Sequence, residues 1–225
     1  MNNNIQQNKL DENLLKLEGL EKEFLNKFCE MLDADNSNMY PMDLLAVCVF
    51  KRSVSIIHGF TLLIRERNFI CAAPLLRLQI DSALRFFAPA LVNNPHELAN
   101  NCLKGIHINK FKDENTGKRL TDSYLVEILD NQFPWLKRVY ENTSGYIHLS
   151  EKHYFNATGN LDEKNRTVTH FISSKDEVVT IEGRNEAVEA MIEISNMVLW
   201  ILDSWIFNKQ NPGIKQKILK ERNNR

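Results

Sequence analysis

Between Asp43 and Val92 the chain runs through about fifty residues in which apolar side chains occupy nearly every angular position of a helix: "DLLAVCVFKRSVSIIHGFTLLIRERN", then "FICAAPLLRLQIDSALRFFAPALV". A helix that is apolar all round must be covered on several sides, so two such helices belong in the middle of a bundle. Asp43 is a natural N-cap for the first, about 43–67, and Asn68 for the second, about 69–92, with Pro74 near its first turn. Glycine and proline are scarce, eight and six in 225 residues, which leaves few turns and favours long helices over a many-stranded sheet.

The flanks support the same class. In residues 9–33, Leu10, Leu14, Leu17, Phe24, Phe28 and Met31 recur three and four apart, with Glu21 breaking the row. This is one apolar stripe with a charged back, suited either to packing within the chain or to a dimer seam. A shorter helix is expected over about 95–109, another from Thr121 or Asp122 to Leu129, and another from Pro134 towards His148. Residues 156–166 read as loop. The β-branched runs "TVTHFIS" and "EVVTIEG", joined by "SKD", predict a hairpin near 167–182. The last long helix is expected to begin at Arg184 or Asn185. The expected fold is all-α, a bundle of five to seven helices with one small β-hairpin. It forms a single helical domain over 1–210, followed by a basic tail over 211–225.

Net charge is −1, so no global basic field draws the chain to nucleic acid or to an acidic membrane. The local basic run is the tail from Lys209, with Lys215, Lys217, Lys220, Arg222 and Arg225, which reads as a solubilising terminus. Cys29, Cys48, Cys71 and Cys102 include no Cys-x-x-Cys pair and read as buried free thiols of a reducing compartment. The first fifteen residues lack the pattern of a signal peptide, and Lys51, Arg52, Arg65 and Arg77 interrupt the apolar runs before about 18 residues accumulate. A cytoplasmic location without a membrane partner is expected.

Three constellations carry candidate chemistry. Arg77, Asp81 and Arg85, spaced by four, share one face of a greasy helix. Charges there must be paired or face a cavity, so they are either a structural brace or a polar pocket in which an arginine grips an anion. Tyr140, Ser144 and His148, also spaced by four in "YENTSGYIHLSEKHYF", form a polar stripe on the helix from Pro134, with Ser150 and His153 at its ragged end. A histidine there is either a favourable charge at the negative end of the helix dipole or a general acid or base. His148 and His153 have zinc-ligand spacing, but the remaining ligands have no nearby candidate, and neither a metal nor another cofactor is expected. No Gly-x-Ser-x-Gly elbow, Walker A loop or Gly-x-Gly-x-x-Gly occurs. The third constellation is Arg52 and His58 in "RSVSIIH".

The combination of "RSVSIIHGFTLLIRERNFICAAPLLRLQID" and the later "YENTSGYIHLS", over roughly residues 45–155, resembles a set of bacterial helical proteins that are in turn similar to the HEPN superfamily of abortive-infection and toxin systems. The resemblance implies a helical domain that forms homodimers, and many members are metal-independent ribonucleases. In them an arginine offsets phosphate charge, and a histidine moves the proton when the RNA 2′-hydroxyl attacks. Carried onto this chain, His148 would be the acid or base and Arg77 the phosphate partner. Tyr140 and Ser144 would orient, with Asp81, Arg85, Ser150 and His153 binding around them. Arg52 and His58 match the superfamily's Arg-to-His spacing as a weaker catalytic pair, but they lie in an early helix rather than a late one. An RNA substrate and an antitoxin or other protein partner are the implied contacts. The alternative is a non-catalytic helical domain that binds a partner in a polar pocket between helices.

Overall fold

The computed structural model describes residues 2–176, 178–211 and 213. Four long helices form its frame: α1 (Asn2–Asp33), α2 (Pro41–Arg65), α3 (Phe69–Phe87) and, far along the chain, α8 (Ile181–Gln210). Each packs on the next, α1 on α2, α2 on α3, α3 on α8, and α8 closes the ring on α1. The short helices decorate this frame. α4 (Pro95–Leu103) lies on α2, while α5 (Asp122–Asp130) and α6 (Leu136–Ser144) lie on α3. α7 (Glu151–Ala157) leads into a two-stranded antiparallel hairpin of β1 (Thr158–Asp162) and β2 (Thr167–His170). The fold is thus an all-α bundle with one small hairpin, as the sequence predicts.

The apolar patterning accounts for the ring. Leu10, Leu14, Leu17, Phe24 and Met31 of α1 are all at most 2% exposed. The stripe that would suit a dimer seam is therefore spent within the chain, against α2 and α8. Phe24 and Phe28 meet Phe50 of α2 edge to face. α2 is apolar all round because it faces α1, α3 and α4. By length and composition alone, α2 and α8 would suffice to cross a membrane, as core helices of a bundle also do; 44% and 50% of their most apolar windows are buried inside the bundle.

Local chemistry sets the element ends. Asp43 is not the N-cap of α2. Tyr40 takes that position, Pro41 starts the helix, and the Asp43 carboxylate accepts from the Tyr40 amide at 2.8 Å. Asn68 caps α3 through the Cys71 amide, and Thr121 caps α5 through the Tyr124 amide. α3 stops at Phe87 rather than at 92, because Pro89 turns residues 88–91 into a 3-10 segment. α4 stops at Leu103 rather than at 109, ahead of Gly105 at φ 84°, a left-handed position that glycine adopts without steric cost.

The hairpin lies earlier than the β-branched runs imply. Its turn is organised by Asp162, whose carboxylate accepts from the amides of Lys164 and Asn165 and from the Asn165 side chain. That turn recruits residues 158–162, expected as loop, into β1 opposite "TVTH". Gly159 permits the pairing: a Cβ there would sit 2.6 Å from the Phe171 ring. The "VVTIEG" part of the second run forms no strand. Val179 and Ile181 dock on the core, and the Thr180 hydroxyl accepts from the Gly183 amide, which starts α8 at Ile181.

Two further expectations are overturned. Cys29, Cys48 and Cys71 are exposed, and only Cys102, half-buried, packs against the core. Lys209 is not part of a solvated tail. It lies in the last turn of α8, where its ammonium meets the Asp43 carboxylate at 3.2 Å with both side chains fully buried, and it donates to the Met31 carbonyl at 2.8 Å. The rest of the basic tail, from Lys215 to Arg225, lies outside the described residues.

Candidate functional site

The face of α3 that carries Arg77, Asp81 and Arg85 turns towards α5 and α6, and its charges are linked in a chain. Arg52 of α2 meets Asp81 at 3.4 Å. Asp81 also holds Arg85 at 3.0 Å. Arg85 reaches on to Asp122, the first residue of α5, at 3.0 Å. The other Asp122 oxygen meets Arg77 at 3.3 Å. Three guanidiniums and two carboxylates leave one net positive charge. The Arg77 side chain is 14% exposed, the most buried member of the chain. Its guanidinium carbon sits 3.9 Å from the centre of the Tyr140 ring of α6. Stacking on one face and a carboxylate at the edge fix that planar group more tightly than either contact alone.

Above this network lies an open cleft of about 450 Å³, lined by Arg77, Leu78, Asp81, Tyr140, Ser144, Ile147 and His148. Five residues picked out by two separate fourfold spacings therefore share one surface, although α3 and α6 are about sixty residues apart in sequence. The stripe is not wholly helical, however. α6 ends at Ser144 rather than at His148. The Thr143 and Ser144 hydroxyls donate back to the Val139 and Tyr140 carbonyls, each at 2.7 Å, and Gly145 follows. Hydroxyl back-bonding and a glycine both weaken continuation of a helix. His148 reaches the cleft from the turn beyond α6 and is exposed. The Ser144 hydroxyl, committed as a donor to the backbone, keeps only its acceptor capacity for the cleft.

Ser150 and His153 do other work. Ser150 is the N-cap of α7: its hydroxyl donates to the Gly145 carbonyl at 2.6 Å and accepts from the Lys152 amide at 3.3 Å. His153 Nδ1 accepts from the Ser150 amide at 3.2 Å, completing a capping box. Both stabilise the turn that presents His148, and neither lines the cleft. Arg52 and His58 do not converge as a pair. Arg52 faces α3, whereas His58 points the other way, with its Nδ1 3.5 Å from Glu21 of α1.

Asp122 was missed as a site residue. Its only sequence signal is an acidic residue in the first turn of a helix, which serves the helix dipole in any protein. The pairing with Arg77, 45 positions away, leaves no periodic trace. Among the described residues, no three His, Cys, Asp or Glu side chains gather so as to hold a metal ion.

Chemically, the cleft offers a held cation, a hydroxyl acceptor, an aromatic edge and an exposed imidazole. Its class is that of a helical bundle with an arginine–carboxylate cleft open to solvent. Comparison with protein-family models, with curated proteins and with solved structures gives no match.

Proposed function

We propose that this chain is a HEPN-like helical protein of a bacterial defence or toxin–antitoxin system, acting in the cytoplasm as a metal-independent endoribonuclease. The observation that supports this reading is the convergence of Arg77, Tyr140, Ser144 and His148 on one open cleft. In this scheme an RNA phosphate lies against Arg77, whose charge offsets that of the phosphate as it grows in the transition state. Neutral His148 takes the proton of the 2′-hydroxyl, and the 2′-oxygen forms a bond to phosphorus. The bond from phosphorus to the 5′-oxygen breaks, leaving a 2′,3′-cyclic phosphate on one fragment. The departing 5′-oxygen takes a proton from the imidazolium of a second copy, so that a homodimer supplies both proton transfers.

The test is incubation of mixed RNA with the full chain in excess chelator, for wild type and His148→Ala. The expected result is cleavage to 2′,3′-cyclic ends by wild type, reduced about 100-fold or more in the variant. Equal cleavage by both proteins, or none by either, overturns it.

A second reading has an observation of its own. Arg77, the arginine that lines the cleft, and Arg52 and Arg85 beside it each already face a carboxylate. That pattern favours a brace between α2, α3 and α5 beneath a non-catalytic surface that binds an antitoxin or other protein. RNA left intact by wild type, with a partner protein competing at Tyr140 and His148, is its signature.

A further inference from the structure

At the C-terminal end of α3 is a second cavity, smaller and more enclosed than the Arg77 cleft, of about 370 Å³. It opens where the 3-10 segments after α1 and α3 meet the start of α4 and the last turns of α8. Three aromatic rings define it. The His96 ring lies between Tyr40 and Trp205, its centre 5.6 Å from each. Met42, Phe86 and Ile201 add apolar wall, the Asn208 amide supplies a hydrogen-bonding group, and the Ser204 hydroxyl, which donates to the Trp200 carbonyl at 3.0 Å, keeps only its acceptor capacity. The size is at the low end for small-molecule sites, and an apolar cavity with a few polar groups is their usual make-up.

The charges beside the cavity decide what it accepts. Asp43 is saturated: it accepts from the Tyr40 amide, the Trp205 indole at 2.8 Å and Lys209 at 3.2 Å. Asp35 takes the Tyr40 hydroxyl as donor. Lys209 stands 6.0 Å from the Tyr40 ring centre, where a ligand cation would otherwise bind, and so disfavours one. Asp43 and Lys209 cancel one another, and Asp35, the carboxylate on the lining itself, disfavours an anion. What remains is a neutral planar ring, attracted by ring contacts and by the apolar wall.

We infer that the cavity between Tyr40, His96 and Trp205 is a binding site for a small, uncharged heteroaromatic molecule of one or two rings. The buried Asp43–Lys209 pair holds its floor. The site does not use the Arg77 cleft, and the inference stands apart from the ribonuclease reading.

Adenine and indole are the probes, titrated against the full chain with ligand-detected NMR. Tetramethylammonium and benzoate serve as charged counterparts. Ala90 lines the mouth and is itself exposed, so Ala90→Phe fills the entrance without disturbing the core. The expected result is saturable binding of adenine or indole to wild type, weakened tenfold or more by Ala90→Phe and by Ser204→Phe and unchanged by His148→Ala. Circular dichroism that matches wild type shows that the variants are folded. Absence of binding by both neutral probes overturns the inference. So does binding that survives both filling variants, or tighter binding of either charged probe.

Discussion

The guanidinium carbon of Arg77 sits 3.9 Å from the centre of the Tyr140 ring, and this contact helps to join α3 to α6 at the floor of the cleft. The contact depends on the face of the ring and not on its hydroxyl. Tyr140→Phe is therefore expected to match wild type in stability, while Tyr140→Leu loses about 1 kcal/mol. Urea unfolding of the three proteins checks this, and equal midpoints for Phe and Leu would show that the stack contributes nothing.

Asp122 ties Arg77 and Arg85 to α5, and it also neutralises part of the positive charge that an anion would meet. Asp122→Asn is expected to lower stability by about 1 kcal/mol, because the pairs are only partly buried. If the cleft holds RNA, the same variant binds a non-cleaved single strand more tightly, and Arg77→Ala binds it more weakly. Fluorescence anisotropy at two salt concentrations separates the two directions, and both should fade as salt rises.

Lys209 and Asp43 are a buried ion pair joining the last turn of α8 to the first turn of α2. Lys209→Met leaves the Asp43 carboxylate buried without its cation and is expected to cost about 3–5 kcal/mol. Lys209→Met combined with Asp43→Asn removes both charges and should regain much of that loss. A double-mutant cycle by chemical denaturation measures the coupling, and simple additivity of the two losses would contradict it.

Asp113, 3% exposed, anchors the loop between α4 and α5. Burial pushes its carboxyl up, but the Tyr124 hydroxyl and the amides of Asn115 and Thr116 outweigh this and hold it below the ordinary carboxylate value. A depressed folded pKa means that the unfolded chain takes up the proton first. The stabilisation is therefore full above the ordinary value of about 3.9 and disappears as pH falls through the lower folded value. Asp113→Asn should destabilise at pH 7 by about 2 kcal/mol, in the range for hydrogen bonds to a charged group. The gap from wild type should narrow below pH 4. Thermal unfolding at pH 7, 5, 4 and 3 reads both effects, and a gap constant with pH would rule out the charged carboxylate as its cause.

Periodic features were legible in the chain itself. The Leu10-to-Met31 stripe, the cap at Asn68, a helix start at Thr121 or Asp122, and the two fourfold spacings at Arg77 and at Tyr140 all follow from 3.6 residues per turn and from which side chains satisfy free helix ends. Competition between local signals was harder to read. Hydroxyl back-bonds at Thr143 and Ser144 ended α6 one turn early. The Asp162 turn moved the hairpin, and Thr180 made a helix start out of an apparent strand. In each case two short-range preferences overlapped, and a side-chain hydrogen bond to the backbone chose between them.

By itself, then, the sequence determined that the chain is a helical bundle and that Arg77, Asp81, Tyr140, Ser144 and His148 lie on two polar stripes, because periodicity is a property of one helix at a time. The tertiary structure decided which stripes meet. It brought α3 against α6, set Asp122 between two arginines, turned His58 away from Arg52, and drew Lys209 out of an apparent tail onto Asp43, 166 positions earlier. Those pairings depend on how the helices close into a ring, and ring closure is a matter of which apolar faces cover one another across the whole bundle.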